Sequence, residues 1–198
     1  MSAPTERGRP RLVLASTSRY RRALLDAAGL AHEAVAPRFE EDHAIPLAPA
    51  DLALAFARGK AESVALEHPG ALILGSDQVP ELDGRVLTKP GSAEAARAQL
   101  AALAGRTHRL HTALAVHLDG RTEARLVTHH MRMRPLTAAQ IAAYVARDAP
   151  LDCAGSYRVE AAGALLFAAM DGPDHTAIVG LPLTALAELC AAFGVALP

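Results

Sequence analysis

The apolar run Leu12-Val13-Leu14-Ala15 breaks into three consecutive hydroxyl residues, Ser16-Thr17-Ser18, and then opens into an amphipathic segment headed by arginines. That order predicts a strand, a short polar turn and a helix around Arg21 to Ala28 stopped by Gly29. A second strand is expected before Pro37, and Phe39-Glu40-Glu41-Asp42-His43 reads as a loop bounded by Pro37, Pro46 and Pro49. From Asp51 to about Glu67 the alanine-rich pattern predicts a helix, with Asp51 placed as its cap and His68-Pro69-Gly70 as its end. Ala71 to Gly75 reads as a short apolar strand interrupted at Ser76-Asp77-Gln78, and Leu82-Asp83-Gly84-Arg85 carries a hairpin signal.

Ser92 opens a helix that Gly105 closes, and two strands, Leu110 to His117 and Ala124 to Arg134, are joined through Asp119-Gly120. Thr137 caps a helix to about Arg147 with Ile141, Tyr144 and Val145 on its apolar side. Asp152 to Glu160 and Ala164 to Ala169 mix strand and helix signals, and a last helix runs from Pro182 to Phe193. Strands alternating with helices, interleaved with Asp-Gly hairpins, predict an α/β or α+β domain with a mixed sheet.

Composition narrows the function classes. With 198 residues and 51% hydrophobic content, the chain can bury a substantial core as one domain or two joined lobes. Its formal net charge of −1 argues against a broad nucleic-acid-binding surface, so any basic site is local. Cys153 and Cys190 are too few for a disulfide scaffold and are expected to be small buried residues. The polar segment from Met1 to Arg11 has no apolar core of a signal peptide, and no stretch is long enough to cross a bilayer, which makes the cytosol the expected location and a membrane partner unexpected. Walker and GxGxxG patterns are absent, as is a GxSxG elbow around Ser156. His129 and His130 adjoin in a strand and point to opposite faces, and His108 and His111 lack a partner at metal spacing, so structural or surface roles are expected for all four.

The hydroxyl turn and the arginines would bring free helix N–H groups and guanidinium donors to one place, which suits a polyphosphate. A nucleotide is therefore the first ligand to consider. Asp77 is expected at the end of a buried strand, aimed into a cleft, with Gly75 leaving room beside it. Glu40, Glu41 and Asp42 offer further hard oxygen donors, enough with substrate phosphates for Mg²⁺. Lys60 and Lys89 are cations whose surroundings decide whether they serve the site or solvent.

Taken together, Leu14-Ala15-Ser16-Thr17-Ser18-Arg19-Tyr20-Arg21-Arg22, Gly75-Ser76-Asp77-Gln78-Val79, Thr88-Lys89-Pro90, Cys153-Ala154-Gly155-Ser156-Tyr157 and Gly180-Leu181-Pro182-Leu183 resemble the Maf family of nucleoside triphosphate pyrophosphatases, and within it the 7-methyl-GTP pyrophosphatase subgroup. The resemblance implies an α/β fold of two lobes around a long twisted mixed sheet, with the nucleotide in the cleft between the lobes. A flexible tail of residues 1–10 is expected ahead of a single catalytic domain over residues 11–198, and the resemblance implies a homodimer. It also implies hydrolysis of a nucleoside triphosphate to a monophosphate and pyrophosphate, dependent on a divalent cation, Mg²⁺ or Mn²⁺. By that similarity Asp77 is the proton acceptor, Glu41 and Asp77 are the metal-associated carboxylates, Ser16, Arg21, Lys60 and Lys89 match phosphate-side positions, and Tyr20, Gln78 and Glu160 match base-selecting positions. An aromatic face such as Tyr20 attracts the cationic 7-methylguanine, and an ionised Glu160 accepts from its N1–H and exocyclic amine. Arg19 stands where the family usually has Pro, which adds a cation beside the phosphates, and Thr88 stands where Gly is usual. Two alternatives stay open from the residues: a dTTP/UTP or broad-specificity pyrophosphatase, and a nucleotide-binding regulator with little catalysis.

Overall fold

In the computed structural model, which describes residues 10–197, β1 (Leu12–Ala15) lies between β2 (Glu33–Val35) and β3 (Leu72–Leu82) and is parallel to both. Beyond β3 the sheet turns antiparallel through β5 (Thr107–Leu118), β6 (Arg121–Met133) and the edge strand β7 (Phe167–Asp171), while β4 (Arg85–Val86) pairs with the far end of β3. The result is a seven-stranded mixed sheet, as expected. Both predicted hairpins form: Asp83-Gly84 and Asp119-Gly120 each carry two consecutive positive φ angles, the requirement of a tight turn that follows the strand twist.

Among the described residues six α-helices cover the sheet: α1 (Arg19–Ala27), α2 (Pro49–Glu62), α3 (Ala93–Leu103), α4 (Ala138–Asp148), α5 (His175–Val179) and α6 (Leu183–Ala192). On one face α2 packs Ala53, Ala57 and Ala61 against Val13, Ile73 and Ala115. On the other, α1 and α6 bury Leu25, Leu186 and Leu189 against Leu14, Leu74 and Leu114. A third core, around Leu100, Leu103, Met131, Met133, Ile141 and Tyr157, gathers α3 and α4 about the far halves of β5 and β6. The long strands β3, β5 and β6 thus run through two lobes, and the cleft opens between them.

Three expectations need correction. The sheet does not break at Ser76-Asp77-Gln78: β3 runs unbroken from Leu72 to Leu82, and Asp77 sits in its middle rather than at its end. Its polar side chains are tolerated because each finds a tertiary partner, described below. Second, Ala48 rather than Asp51 is the N-cap of α2, with Pro49 in the first turn and Asp51 inside that turn, where its charge still meets the helix dipole. Third, α2 ends at Glu62, because the Ser63 hydroxyl donates to the Lys60 carbonyl and accepts from the Arg38 N–H; Ala65–Glu67 is a separate 3-10 turn. Of the expected tail, residues 1–9 lie outside the described residues. Among the described residues no helix is long and apolar enough to cross a membrane.

The histidine and cysteine expectations hold in part. His129 is buried and His130 exposed, as alternation requires, and His108 and His111 are buried core residues, bonded to the Tyr157 hydroxyl and to Glu81. His111 does therefore have a carboxylate partner, one that sequence spacing does not reveal. Both thiols are free, but only Cys190 is buried; Cys153 is half-buried on the cleft wall.

Candidate active site

Asp77 is delivered to the cleft by close packing of α2 on β3. A Cβ at Gly75 would stand 2.2 Å from the Ala57 carbonyl oxygen and 2.5 Å from the Ala61 nitrogen, so only glycine lets the helix approach this near. That approach sets Lys60 above Asp77: the Lys60 ammonium lies 2.5 Å from Asp77 Oδ1 and 2.6 Å from Glu41 Oε1. The side chains of Lys60 and Asp77 are each only 8% exposed, so the ion pair is shielded from water.

Glu41 arrives on the loop before α2, and aromatic packing holds that loop down. The Phe39 ring occupies the space a side chain at Gly59 would fill, and both Phe39 and His43 meet Phe56 edge-on, at 5.7 and 5.2 Å between ring centroids. Burial pushes the Glu41 carboxyl up, but the Lys60 hydrogen bond and charge, with Lys89 and His43, outweigh it and hold the carboxyl below its usual range.

The hydroxyl turn faces this ion pair. Ser18 is the N-cap of α1, its hydroxyl accepting from the Arg21 N–H, which leaves the N–H groups of Arg19 and Tyr20 outside the helical ladder. The Arg21 side chain folds back: Nε donates to the Gly180 carbonyl at 2.8 Å and Nη1 to the Ser16 hydroxyl at 3.2 Å. Desolvation lowers the Arg21 pKa, opposed by the charges of Asp77 and Glu41. Gly180 ends α5 at φ +114° and also accepts from the Ser76 hydroxyl, so one carbonyl locks the arginine, the strand and the α5–α6 turn together.

Alternation along β3 separates two tasks. Gly75 and Asp77 face α2, whereas Ser76 and Gln78 face α5, where the Gln78 amide donates to Thr112 Oγ1 and to the carbonyls of Ala177 and Ile178. On the opposite wall, the turn through Gly155 and Ser156, both with positive φ, is held by the Ser156 hydroxyl donating to Gln99 and by Tyr157, whose hydroxyl meets His108 Nε2 at 2.9 Å. Glu160 follows at the cleft rim; burial of its carboxyl raises its pKa, opposed by Arg158 and Arg19, although its surface remains exposed.

A cleft of about 880 Å³ gathers all nine sequence-derived candidates: Ser16, Tyr20, Arg21, Glu41, Lys60, Asp77, Gln78, Lys89 and Glu160. Lys89 is exposed on a loop that Gln99 ties down through the Thr88 carbonyl. Six lysines and arginines line the cleft against four carboxylates, a local positive excess in a chain of net charge −1, which favours an anionic ligand. Sequence reasoning missed Phe39, Gly59 and the Gly180 carbonyl as supports, and Arg158 as a lining cation. Its guanidinium pairs with Asp152 and donates to the Asp148 carbonyl, partners that only the fold brings near.

Among the described residues, no three His, Cys, Asp or Glu side chains cluster as a metal site of their own. Glu41 and Asp77, joined through one ammonium, are two hard oxygen donors, a set suited to a small divalent cation that draws its other ligands from water and phosphate.

A mixed α/β scaffold that closes a buried carboxylate, a helix N-terminus and several cations around one cleft is that of an enzyme acting on anionic, phosphate-bearing substrates. The family model described as Maf-like protein matches residues 11–193, and the chain belongs to the Maf family of nucleotide pyrophosphatases. Among its relatives, a 7-methyl-GTP pyrophosphatase of Bordetella avium (strain 197N) is 45% identical over 93% of this chain and 94% of its own. One of Xanthomonas oryzae pv. oryzae (strain MAFF 311018) is 46% identical over 96% and 100%, and one of Syntrophotalea carbinolica 43% over 93% and 95%.

Proposed function

We propose that this protein hydrolyses 7-methyl-GTP to 7-methyl-GMP and pyrophosphate, removing a modified nucleotide from the cytosolic pool. The observation that carries the reading is the Glu41–Lys60–Asp77 bridge, with Lys60 and Asp77 buried and Glu41 half-exposed, which lines the same cleft as the N-terminus of α1. Relatives of that name, matched over nearly the full length of both chains, support the substrate.

In this reading, the triphosphate lies along Ser16, Arg21, Lys60 and Lys89. Water attacks phosphorus at the α–β linkage, Asp77 takes its proton, the phosphoanhydride bond breaks, and pyrophosphate leaves with the bonding electron pair. Arg21 and Lys60, held by internal partners, need little reorganisation to meet charge on the phosphate oxygens. A divalent cation held by Glu41 and Asp77, Mg²⁺ or Mn²⁺, supplies charge neutralisation at those oxygens when bound. Tyr20, Gln78 and Glu160 select the base, Gln78 chiefly by fixing α5 behind it. On the family resemblance, the working unit is a homodimer.

A panel of canonical and modified nucleoside triphosphates, assayed with Mg²⁺ and scored for pyrophosphate separately from orthophosphate, tests the reading. The expected result is fastest pyrophosphate release from 7-methyl-GTP; equal turnover of dTTP would contradict it.

A further inference from the structure

Arg19 does not point its charge at the phosphate side. Its guanidinium carbon lies 4.7 Å from the centroid of the Tyr20 ring, and Nη2 donates to the Tyr20 hydroxyl at 2.7 Å. The two residues are consecutive at the start of α1, and both line the cleft together with Glu160. Arg19 is also close enough for its charge to act on the Glu160 carboxyl. Meanwhile Ser16, Arg21 and Lys60 are bonded to one another, to Gly180 or to the carboxylates, without Arg19. A cation has thus been placed on the Tyr20 ring, within electrostatic reach of Glu160.

From this geometry we propose that Arg19 is a specificity-determining residue: its guanidinium competes with a positively charged purine base for the Tyr20 face and repels it, narrowing the preference for 7-methylguanine over guanine. The inference rests on the base-side assignment of Tyr20 and Glu160 given above and deepens it. An uncharged base displaces the same guanidinium at the same cost in lost contacts, but does not carry the like-charge repulsion. The difference between the two bases is therefore where Arg19 acts, and salt weakens it, since the pair is exposed.

The test compares kcat/KM for 7-methyl-GTP and GTP in the wild type, Arg19→Gln and Arg19→Lys. A neutral side chain should raise the ratio of 7-methyl-GTP to GTP by about two- to five-fold, the range of an exposed cation–aromatic contact, mainly through KM for the methylated nucleotide. Arg19→Lys, which keeps the charge, should stay near the wild-type ratio. Raising the salt concentration should increase the ratio of the wild type relative to that of Arg19→Gln. A ratio unaltered in Arg19→Gln, or an equal loss of kcat/KM for both nucleotides, would overturn the proposal and return Arg19 to the phosphate side. Absence of turnover of either guanine nucleotide by the wild type is a different result, overturning the proposed function and this inference together.

Discussion

Lys60 is the residue on which the site's electrostatics turn. One ammonium bridges a buried carboxylate and a half-exposed one at 2.5 and 2.6 Å, so removing it leaves Asp77 with an uncompensated buried charge. Lys60→Met is expected to destabilise the fold by about 3 kcal/mol, as for other buried pairs stripped of one partner, and to reduce pyrophosphate release at least a hundred-fold. Urea denaturation and an initial-rate assay on the same preparation check both; full activity in the variant would exclude Lys60 from the site. Sequence order brings neither carboxylate near Lys60. The ammonium's burial follows from helix phase and from the tight contact at Gly75, which local patterning does not encode.

At the scale of elements, the site depends on how closely α2 lies on β3 and on what presses the Glu41 loop onto α2. Two glycines separate these contributions. At Gly75 the obstructing atoms are backbone, so Gly75→Ala forces helix and strand apart; a loss of about 1–3 kcal/mol in stability is expected together with loss of activity. At Gly59 the obstruction is the Phe39 ring, a side chain that can rotate away, so Gly59→Ala should cost little stability yet release the Glu41 loop and lower the rate. Thermal unfolding of the two variants, read beside their rates, should show these different patterns; equal stability losses would contradict the assignment.

Most elements were legible in the sequence for reasons visible in the structure. Ser92 and Thr137 cap their helices, and the two Asp-Gly turns adopt the positive φ angles their residues tolerate. The continuity of β3 was not legible. Ser76, Asp77 and Gln78 are poor strand formers on their own, and the ladder persists because distant groups satisfy all three: Ala113 and Gly180, Lys60, and Thr112 with α5. The candidate site residues were legible mainly through family resemblance. The sheet and helix contacts explain why segments so far apart in sequence meet in one cleft.

At the scale of the molecule, two lobes share three long strands, and the cores of both must survive for the cleft to keep its shape. His108, in the third core beside Tyr157 and Phe167, makes that core sensitive to acid. Desolvation lowers its pKa to about 4 from an ordinary value of 6.5, with only partial opposition from the Met131 backbone. The unfolded chain therefore binds a proton before the folded one does, so stability should fall as pH drops from 6.5 toward 4, by about 3 kcal/mol over that window. Glu81 and Asp174 act lower. Burial pushes each carboxyl up, but hydrogen bonds from His111 and Gly84, or from Thr176 and Thr184, hold it below its usual value. Their stabilisation is present above the unfolded-state pKa and is lost as pH falls through the folded one. Chemical denaturation of the wild type and His108→Leu between pH 7 and 4 should show a shallower slope in the variant; parallel curves would mean that His108 does not contribute.

The central claim is that Asp77, held in the middle of β3 by Lys60, is the group that takes the proton from the attacking water. Pyrophosphate release from 7-methyl-GTP by Asp77→Asn, measured alongside calorimetric binding of the same nucleotide, tests it most directly. The account predicts a rate at least a thousand-fold below wild type with binding retained within about ten-fold, in line with loss of a positioned base. Undiminished release by the variant would contradict it.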